Sequence, residues 1–147
     1  MSEPQRPLRI LFVCVGNACR SQMAEGWARH LSSDVLEVSS AGVAPYHLDP
    51  RTVEVMAEVG IDVRRHFAKG LDDLRDQTFD WVITLCPVAD RLCPAFPGET
   101  QICFKGFRDP FGARGSKEDV LGIFREVRDE IGEFVQTLPR SLSATGF

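Results

Sequence analysis

The sequence lacks three features that would each assign it to a large class of proteins. No apolar run approaches the roughly 18 residues that span a bilayer, which predicts no transmembrane segment and no membrane partner. The 17 basic residues are outnumbered by 21 acidic ones, and the net charge of −4 argues against a nucleic-acid-binding surface. The first residues contain no apolar signal core, so we expect a cytoplasmic protein.

Histidine is scarce, and the cysteines lack the spacing of a metal site. The three histidines are scattered, and we interpret them as surface or satisfied core residues: His30, His47 and His66. Zinc sites use pairs such as Cys-x2–4-Cys, whereas Cys14 and Cys19 have an arginine beside them. Cys86 and Cys93 are separated by six residues. We therefore predict no metal site, and we expect cytoplasmic cysteines to be free or catalytic.

The remaining composition is that of one soluble domain. An apolar fraction of 44% in 147 residues is enough to form a substantial core. We find no repeat and no second domain, so we expect a single domain over residues 1–147 that acts as a monomer. The ends, 1–6 and 139–147, are polar or made of small residues, and we expect them to be flexible.

Strand and helix patterns alternate along the chain. Branched and aromatic runs predict strands over 8–14, 36–40, 81–85 and 101–104. Helix signals predict helices from Ser21 to about Leu31, from Asp49-Pro50 to Gly60, and from Ser116 onward. This order indicates an α/β fold with a four-stranded parallel sheet flanked by helices on both faces. Ligands of such sheets bind beyond the carboxyl ends of the strands.

The loop between the first strand and the first helix carries the strongest functional signal. It reads Cys14-Val15-Gly16-Asn17-Ala18-Cys19-Arg20-Ser21. A strand that turns through such a loop into a helix directs unpaired N–H groups at one concavity, which suits an oxyanion. The same donors stabilise a thiolate at Cys14, and Arg20 adds a planar fork of donors. We predict an oxyanion-binding loop over 15–21 with Cys14 as its nucleophile.

Four segments together carry a family resemblance. They are the Cys14-to-Ser21 loop continued by Gln22-Met23-Ala24-Glu25-Gly26; Val82-Ile83-Thr84-Leu85-Cys86 followed by Cys93-Pro94; Gly106-Phe107-Arg108-Asp109-Pro110; and Phe124 to Ile131 in the last predicted helix. In combination these segments resemble the thioredoxin-coupled arsenate reductases, which share the fold of the low-molecular-weight protein tyrosine phosphatases. The phosphatases usually have proline at the position of Gln22.

The resemblance implies a role for five residues. Cys14 would attack arsenate held by the loop and Arg20, while Asp109 protonates the departing oxygen. Cys86 would then attack Cys14 and release arsenite, and Cys93 would attack Cys86. Thioredoxin would reduce the resulting Cys86–Cys93 disulfide. Asp109-Pro110 is by itself only a turn signal, Cys19 is interpreted as packing and Cys103 as core.

The segment between the two resolving cysteines raises a geometric problem. If 86–93 were helical, seven steps of about 1.5 Å would separate the two residues by roughly 10 Å. A disulfide accepts Cα separations only up to about 7 Å. Because Pro87, Pro94 and Pro97 disfavour a helix, we predict a mobile segment that rearranges on oxidation.

The resemblance also raises the question of a bound cation. Some relatives bind potassium beside the loop through Asn, Glu, Ser and Asp side chains. Asn17, Glu25 and Ser40 align with three of these ligands, but Lys69 stands where the Asp would be. Because an ammonium group is a compact cation, we predict that Lys69 replaces the ion and that no cofactor is needed.

Two other functions remain open. A low-molecular-weight phosphatase acting on phosphotyrosine would need the same loop, and its second and third cysteines would be accidental. Weak phosphatase activity is expected in either case, because the loop binds phosphate esters as well as arsenate. A non-catalytic oxyanion or redox sensor is less favoured, because it needs no acid such as Asp109.

Overall fold

The computed structural model describes residues 6–143 and contains one parallel sheet. The strands are β1 (Leu8–Cys14), β2 (Leu36–Gly42), β3 (Trp81–Thr84) and β4 (Gln101–Phe104). The helices are α1 (Arg20–Ser32), α2 (Pro50–Glu58), α3 (Pro87–Leu92), α4 (Lys117–Gln136) and α5 (Arg140–Ser143). The strand order is β2-β1-β3-β4 with every pairing parallel, which confirms the predicted α/β sheet.

Strand β1 lies at the centre of the sheet and is buried on both sides, which explains its continuous apolar run. Side chains of a strand alternate between the faces. Ile10, Phe12 and Cys14 therefore belong to one apolar layer, and Leu11 and Val13 belong to the other.

Helices cover both faces of the sheet, but unequally. The first layer packs against α1, α2, α4 and α5, through buried residues such as Met23, Met56, Phe124, Ile131 and Leu142. The second layer is covered by α3 and by a 3-10 turn over Leu71–Leu74. No helix within residues 6–143 combines the length and apolarity needed to cross a membrane.

The long helices begin where capping chemistry predicts. The Asp49 side chain accepts a hydrogen bond from the N–H of Arg51 at 2.9 Å, and Pro50 opens α2. Ser116 and Asp119 form a reciprocal capping box at the start of α4.

The expectation that prolines disfavour a helix between Cys86 and Cys93 was wrong, whereas the rearrangement of this segment on oxidation stays a prediction. Residues 87–92 form α3, with Cys86 as its N-cap. Pro87 does not prevent this, because it occupies the first helical turn, where a missing N–H costs no helical hydrogen bond.

The flexibility of the tail from Pro139 stays a prediction, and part of this tail has regular secondary structure. Residues 140–143 form α5, and Leu142 is 3% exposed within the first layer. At the other end, Arg6 forms an ion pair of 2.7 Å with Asp80. Residues 1–5 and 144–147 lie outside the described part of the chain.

Candidate active site

The loop after β1 presents its N–H groups to one concavity. The carbonyls of Cys14, Val15, Gly16 and Ala18 all accept hydrogen bonds, at 2.9–3.1 Å, from the backbone between residues 43 and 49. Within residues 6–143, no hydrogen bond uses the N–H of residues 15–19 as donor. With the carbonyls directed outward and the N–H groups free, the loop forms the cradle that an oxyanion requires.

Gly42, at the end of β2, permits this loop conformation. A Cβ atom at Gly42 would lie 2.5 Å from the carbonyl oxygen of Val15 and 2.8 Å from the nitrogen of Asn17. Both distances are too short for a side chain, so the loop can approach β2 only because this residue is glycine.

The Cys14 thiol is held by a short hydrogen-bonded chain. Its Sγ atom lies 2.9 Å from Oγ of Ser21, and Asn17 donates to the same Oγ at 2.7 Å. Asn17 also donates to Oγ of Ser40 at 3.0 Å and adopts a left-handed φ of 52°. Its side chain thus supports the loop in a conformation that asparagine tolerates better than most residues.

Gln22 is a fully buried polar residue that ties the loop to a distant segment. Its Nε2 donates to the backbone and side-chain oxygens of Asn17 at 3.1 and 3.0 Å, and to the carbonyl of Phe67 at 3.0 Å. His66 Nδ1 lies 3.0 Å from Gln22 Oε1, and burial lowers the pKa of this histidine. The sequence identified Gln22 only as a departure from the phosphatase pattern.

Arg20 and Asp109 face each other across the concavity. The guanidinium donates to the carbonyl of Phe107 at 3.3 Å and lies 3.4 Å from Asp109 Oδ2. The Asp109 side chain is 50% exposed, and its Oδ1 accepts from the N–H of Phe111 at 3.0 Å. This carboxyl group is therefore oriented by the protein beside Arg20 and is open to water.

Two aromatic rings that the sequence did not single out border the site. Tyr46 and Phe111 meet edge to face, with ring centroids 5.7 Å apart. They line a cavity of about 340 Å³ together with Cys14, Arg20 and Asp109. Their proximity depends on two loops 65 residues apart in the chain, which no local pattern reveals.

Cys86 and Cys93, the two cysteines predicted to act as resolving thiols, flank α3 near the same edge of the sheet. The N–H of Leu85 donates to the carbonyl of Val13 at 2.8 Å, so Cys86 follows directly beyond the paired ends of β1 and β3. Cys86 and Cys93 both contact the second apolar layer, whereas Cys14 belongs to the first. All five cysteines are free thiols. Cys14 and Cys86 therefore pack against opposite faces of the sheet.

The remaining two cysteines are packed. Cys19 is buried, with its Sγ 3.8 Å from Asp49 Oδ2, and burial raises the pKa of its thiol. Cys103 lies half-buried in β4 against the first layer, where burial raises its pKa to about 11. Both are poor nucleophiles in these surroundings.

Asn17, Glu25 and Ser40, which align with potassium ligands of some relatives, lie close together. The buried carboxylate of Glu25 has two cationic side chains beside it. Oε1 of Glu25 accepts a hydrogen bond from the Ser40 hydroxyl at 2.6 Å and lies 3.8 Å from Nζ of Lys69. Its Oε2 lies 2.9 Å from Nε of Arg29. Burial lowers the pKa of Lys69, and the attraction of Glu25 opposes that shift. Among residues 6–143, no three His, Cys, Asp or Glu side chains are placed to hold a metal ion.

Comparisons with known proteins agree with this geometry. The sequence profile of the low molecular weight phosphotyrosine protein phosphatases matches residues 9–146. An arsenate reductase from Halalkalibacterium halodurans is 42% identical over 128 residues, which is 87% of this chain and 92% of that protein.

Solved structures show the same likeness. An arsenate reductase in the oxidized state is 31% identical, with a TM-score of 0.74 over 90% of this chain and 97% of that one. A thioredoxin-dependent arsenate reductase from Corynebacterium glutamicum is 28% identical, with a TM-score of 0.68 over 95% of this chain and 64% of that one.

Proposed function

The chain belongs to the low molecular weight phosphotyrosine protein phosphatase family, and from this premise we propose that it is an arsenate reductase. One structural observation favours a reductase over a phosphatase of the same family. Two further thiols, Cys86 and Cys93, flank a short helix next to the strand that carries Cys14. A phosphatase needs no second or third thiol, whereas a reductase must supply two electrons. The similarity to reductases over most of the chain supports the same conclusion.

The first step is nucleophilic attack at the cradle. Arsenate is a tetrahedral oxyanion, which the free N–H groups of the loop and the guanidinium of Arg20 bind. The Cys14 thiolate attacks arsenic, and Asp109 protonates the departing oxygen, which leaves as water. A covalent sulfur–arsenic bond links the substrate to Cys14.

The second step reduces the arsenic. The Cys86 thiolate attacks Sγ of Cys14, a Cys14–Cys86 disulfide forms, and the pair of electrons in the sulfur–arsenic bond leaves with arsenite. Cys93 then attacks Cys86, which frees Cys14 as a thiolate for the next cycle. This last exchange requires α3 to unwind, because a helix holds Cys86 and Cys93 roughly 10 Å apart.

The proposed reductant of the Cys86–Cys93 disulfide is thioredoxin, as in the similar protein from C. glutamicum. We further propose a cytoplasmic location, which five free cysteines favour. A resident cofactor has no part in the proposed cycle, and the monomeric state stays a prediction.

A coupled assay tests this function. With arsenate, thioredoxin, thioredoxin reductase and NADPH, we expect continuous oxidation of NADPH by the parent and none by Cys86→Ser or Cys93→Ser. Cys103→Ser is the matched control and should retain the parent rate, because Cys103 has no part in the relay. Hydrolysis of a small aryl phosphate should survive all three substitutions. NADPH oxidation that continues without Cys86 or Cys93 would contradict the proposal.

Phosphatase activity is the second candidate, and the aromatic border of the site favours it. The rings of Tyr46 and Phe111 can pack against an aryl group whose phosphate lies in the loop. We expect such hydrolysis as a side activity. It becomes the main function if the parent turns over an aryl phosphate readily but oxidises no NADPH with arsenate.

A further inference from the structure

Thr84 makes a polar contact that neither the fold nor the proposed chemistry explains. It ends β3 and is 0% exposed. Its hydroxyl group donates to Oδ1 of Asp90 at 2.8 Å and also lies 3.2 Å from the carbonyl of Cys103. Because Asp90 lies within α3, this hydrogen bond fastens the helix to the sheet.

The position of Asp90 relates this contact to the two resolving cysteines. Its N–H donates to the carbonyl of Cys86 at 3.0 Å, and it lies three residues before Cys93. A disulfide between Cys86 and Cys93 requires α3 to unwind, because a helix holds them roughly 10 Å apart. Any contact that holds Asp90 in its helical position therefore opposes closure of the disulfide.

The negative charge of Asp90 also opposes formation of the Cys86–Cys93 disulfide. Burial raises the pKa of the Cys93 thiol, and the nearby Asp90 carboxylate raises it further. A smaller thiolate fraction slows the attack of Cys93. The hydrogen bond between Thr84 and Asp90 and the raised pKa of Cys93 therefore both oppose premature formation of the Cys86–Cys93 disulfide.

We propose that Thr84 and Asp90 form a latch that holds α3 folded in the reduced protein and sets how readily Cys86 and Cys93 form a disulfide. Both are positioning residues, since neither lines the oxyanion cavity. The physiological use of the latch rests on the proposed reductase function. The dithiol–disulfide equilibrium itself is a property of the chain and can be measured without arsenate.

The experiment equilibrates the full chain with glutathione and glutathione disulfide. Cys86 and Cys93 lose two electrons and two protons to one glutathione disulfide, which becomes two glutathione molecules. The fraction with a Cys86–Cys93 bond is measured by peptide mapping after acid quenching. The variants are Thr84→Val and Asp90→Ala, with Thr84→Ser as the control that keeps the hydroxyl group.

Loss of a hydrogen bond to a carboxylate should shift this equilibrium about tenfold toward the disulfide in Thr84→Val. For a two-electron couple, tenfold corresponds to about 30 mV. Asp90→Ala, which removes the acceptor oxygen, should shift it in the same direction, and Thr84→Ser should stay within about twofold of the parent. Thr84→Val buries no unpaired charge, because Asp90 is exposed to water.

The three variants together distinguish a latch from simple damage to the sheet. Unchanged aryl phosphate hydrolysis shows that each variant is folded. Equal exchange constants in the parent, Thr84→Val and Asp90→Ala would overturn the latch, and so would a shift in Thr84→Val alone, which would indicate damage to β3. If the coupled arsenate assay fails while the exchange constants shift as expected, the reductase proposal falls and the latch stands.

Discussion

The Sγ atom of Cys14 lies 2.9 Å from the Oγ atom of Ser21. Since Asn17 donates to the same Oγ, the hydroxyl proton of Ser21 is free to point at the sulfur. Such a donor stabilises the thiolate over the thiol. We therefore expect the reactivity of Cys14, the proposed nucleophile, to depend on this hydroxyl group as well as on the N–H groups of the loop.

Ser21→Ala should reduce the reactivity of Cys14. Hydrogen bonds to charged groups contribute about 1.5–3 kcal/mol, so we expect roughly a tenfold or larger fall in rate at neutral pH. The rate of alkylation of Cys14 by iodoacetamide and the rate of aryl phosphate hydrolysis both measure it. Ser33→Ala, at an exposed position after α1, is the control and should leave both rates unchanged. Equal rates in Ser21→Ala and the parent would show that the hydroxyl has no such role.

Asp109→Asn should separate chemistry from binding. The amide oxygen can still accept the hydrogen bond from Phe111, but the side chain can no longer donate a proton to a leaving oxygen. We expect kcat for an aryl phosphate to fall by about 10²-fold or more. Phosphate should bind at least as tightly as to the parent, because a negative charge beside Arg20 is removed. Asp76→Asn, at an exposed position, controls for the loss of charge.

Gly42→Ala should damage both stability and activity. The new methyl group would lie 2.5 Å from the Val15 carbonyl oxygen, so the loop or β2 must move. Overpacking of this kind costs about 1–3 kcal/mol, measured by urea unfolding. Gly122→Ala in α4 is the matched control, since nothing lies within 4 Å of its Cβ position. That change should stabilise the protein by about 0.5–1 kcal/mol.

Asp49→Asn should lower stability in a pH-dependent manner. Burial would raise the pKa of Asp49, but hydrogen bonds from Arg51 hold it below its usual value of 3.8. A carboxyl group whose pKa is lowered by folding stabilises the protein above the unfolded value, and this contribution is lost as pH falls through the folded value.

We therefore expect Asp49→Asn to be less stable than the parent at pH 7, by about 1–3 kcal/mol, with the difference shrinking below about pH 4. Asparagine keeps the helix cap, so the change isolates the charge. Urea unfolding of both proteins between pH 3 and pH 7 measures the difference. A constant difference across that range would contradict the assignment.

Because of Lys69, we expect the rate of catalysis not to depend on potassium. Its ammonium group already lies 3.8 Å from the Glu25 carboxylate, where a bound cation would otherwise balance the charge. We expect equal rates of aryl phosphate hydrolysis in potassium, sodium and tetramethylammonium chloride at one ionic strength. Lys69→Met should lower the rate and make it respond to potassium. Stimulation of the parent by potassium would disprove the prediction.

The sheet, the family and the oxyanion loop could all be predicted from the amino-acid sequence. Each depends on neighbouring residues: β1 is a continuous apolar run, α2 and α4 begin at caps, and the loop lies within eight consecutive residues, Cys14 to Ser21. Strand period, capping and turn chemistry act over a few residues, so a single chain reveals them. The predicted fold and family membership were confirmed on this basis.

Features that depend on distant segments could not be predicted from local sequence patterns. The helical state of α3, the packing of Leu142, the closeness of Gly42 to Val15 and the hydrogen bond between Thr84 and Asp90 all follow from how separate elements pack. Prolines around α3 suggested an irregular segment, yet burial of Ala89 against the second layer stabilises a helix there. Local propensities are worth less than about 1 kcal/mol per residue for most residue types, so tertiary packing overrides them.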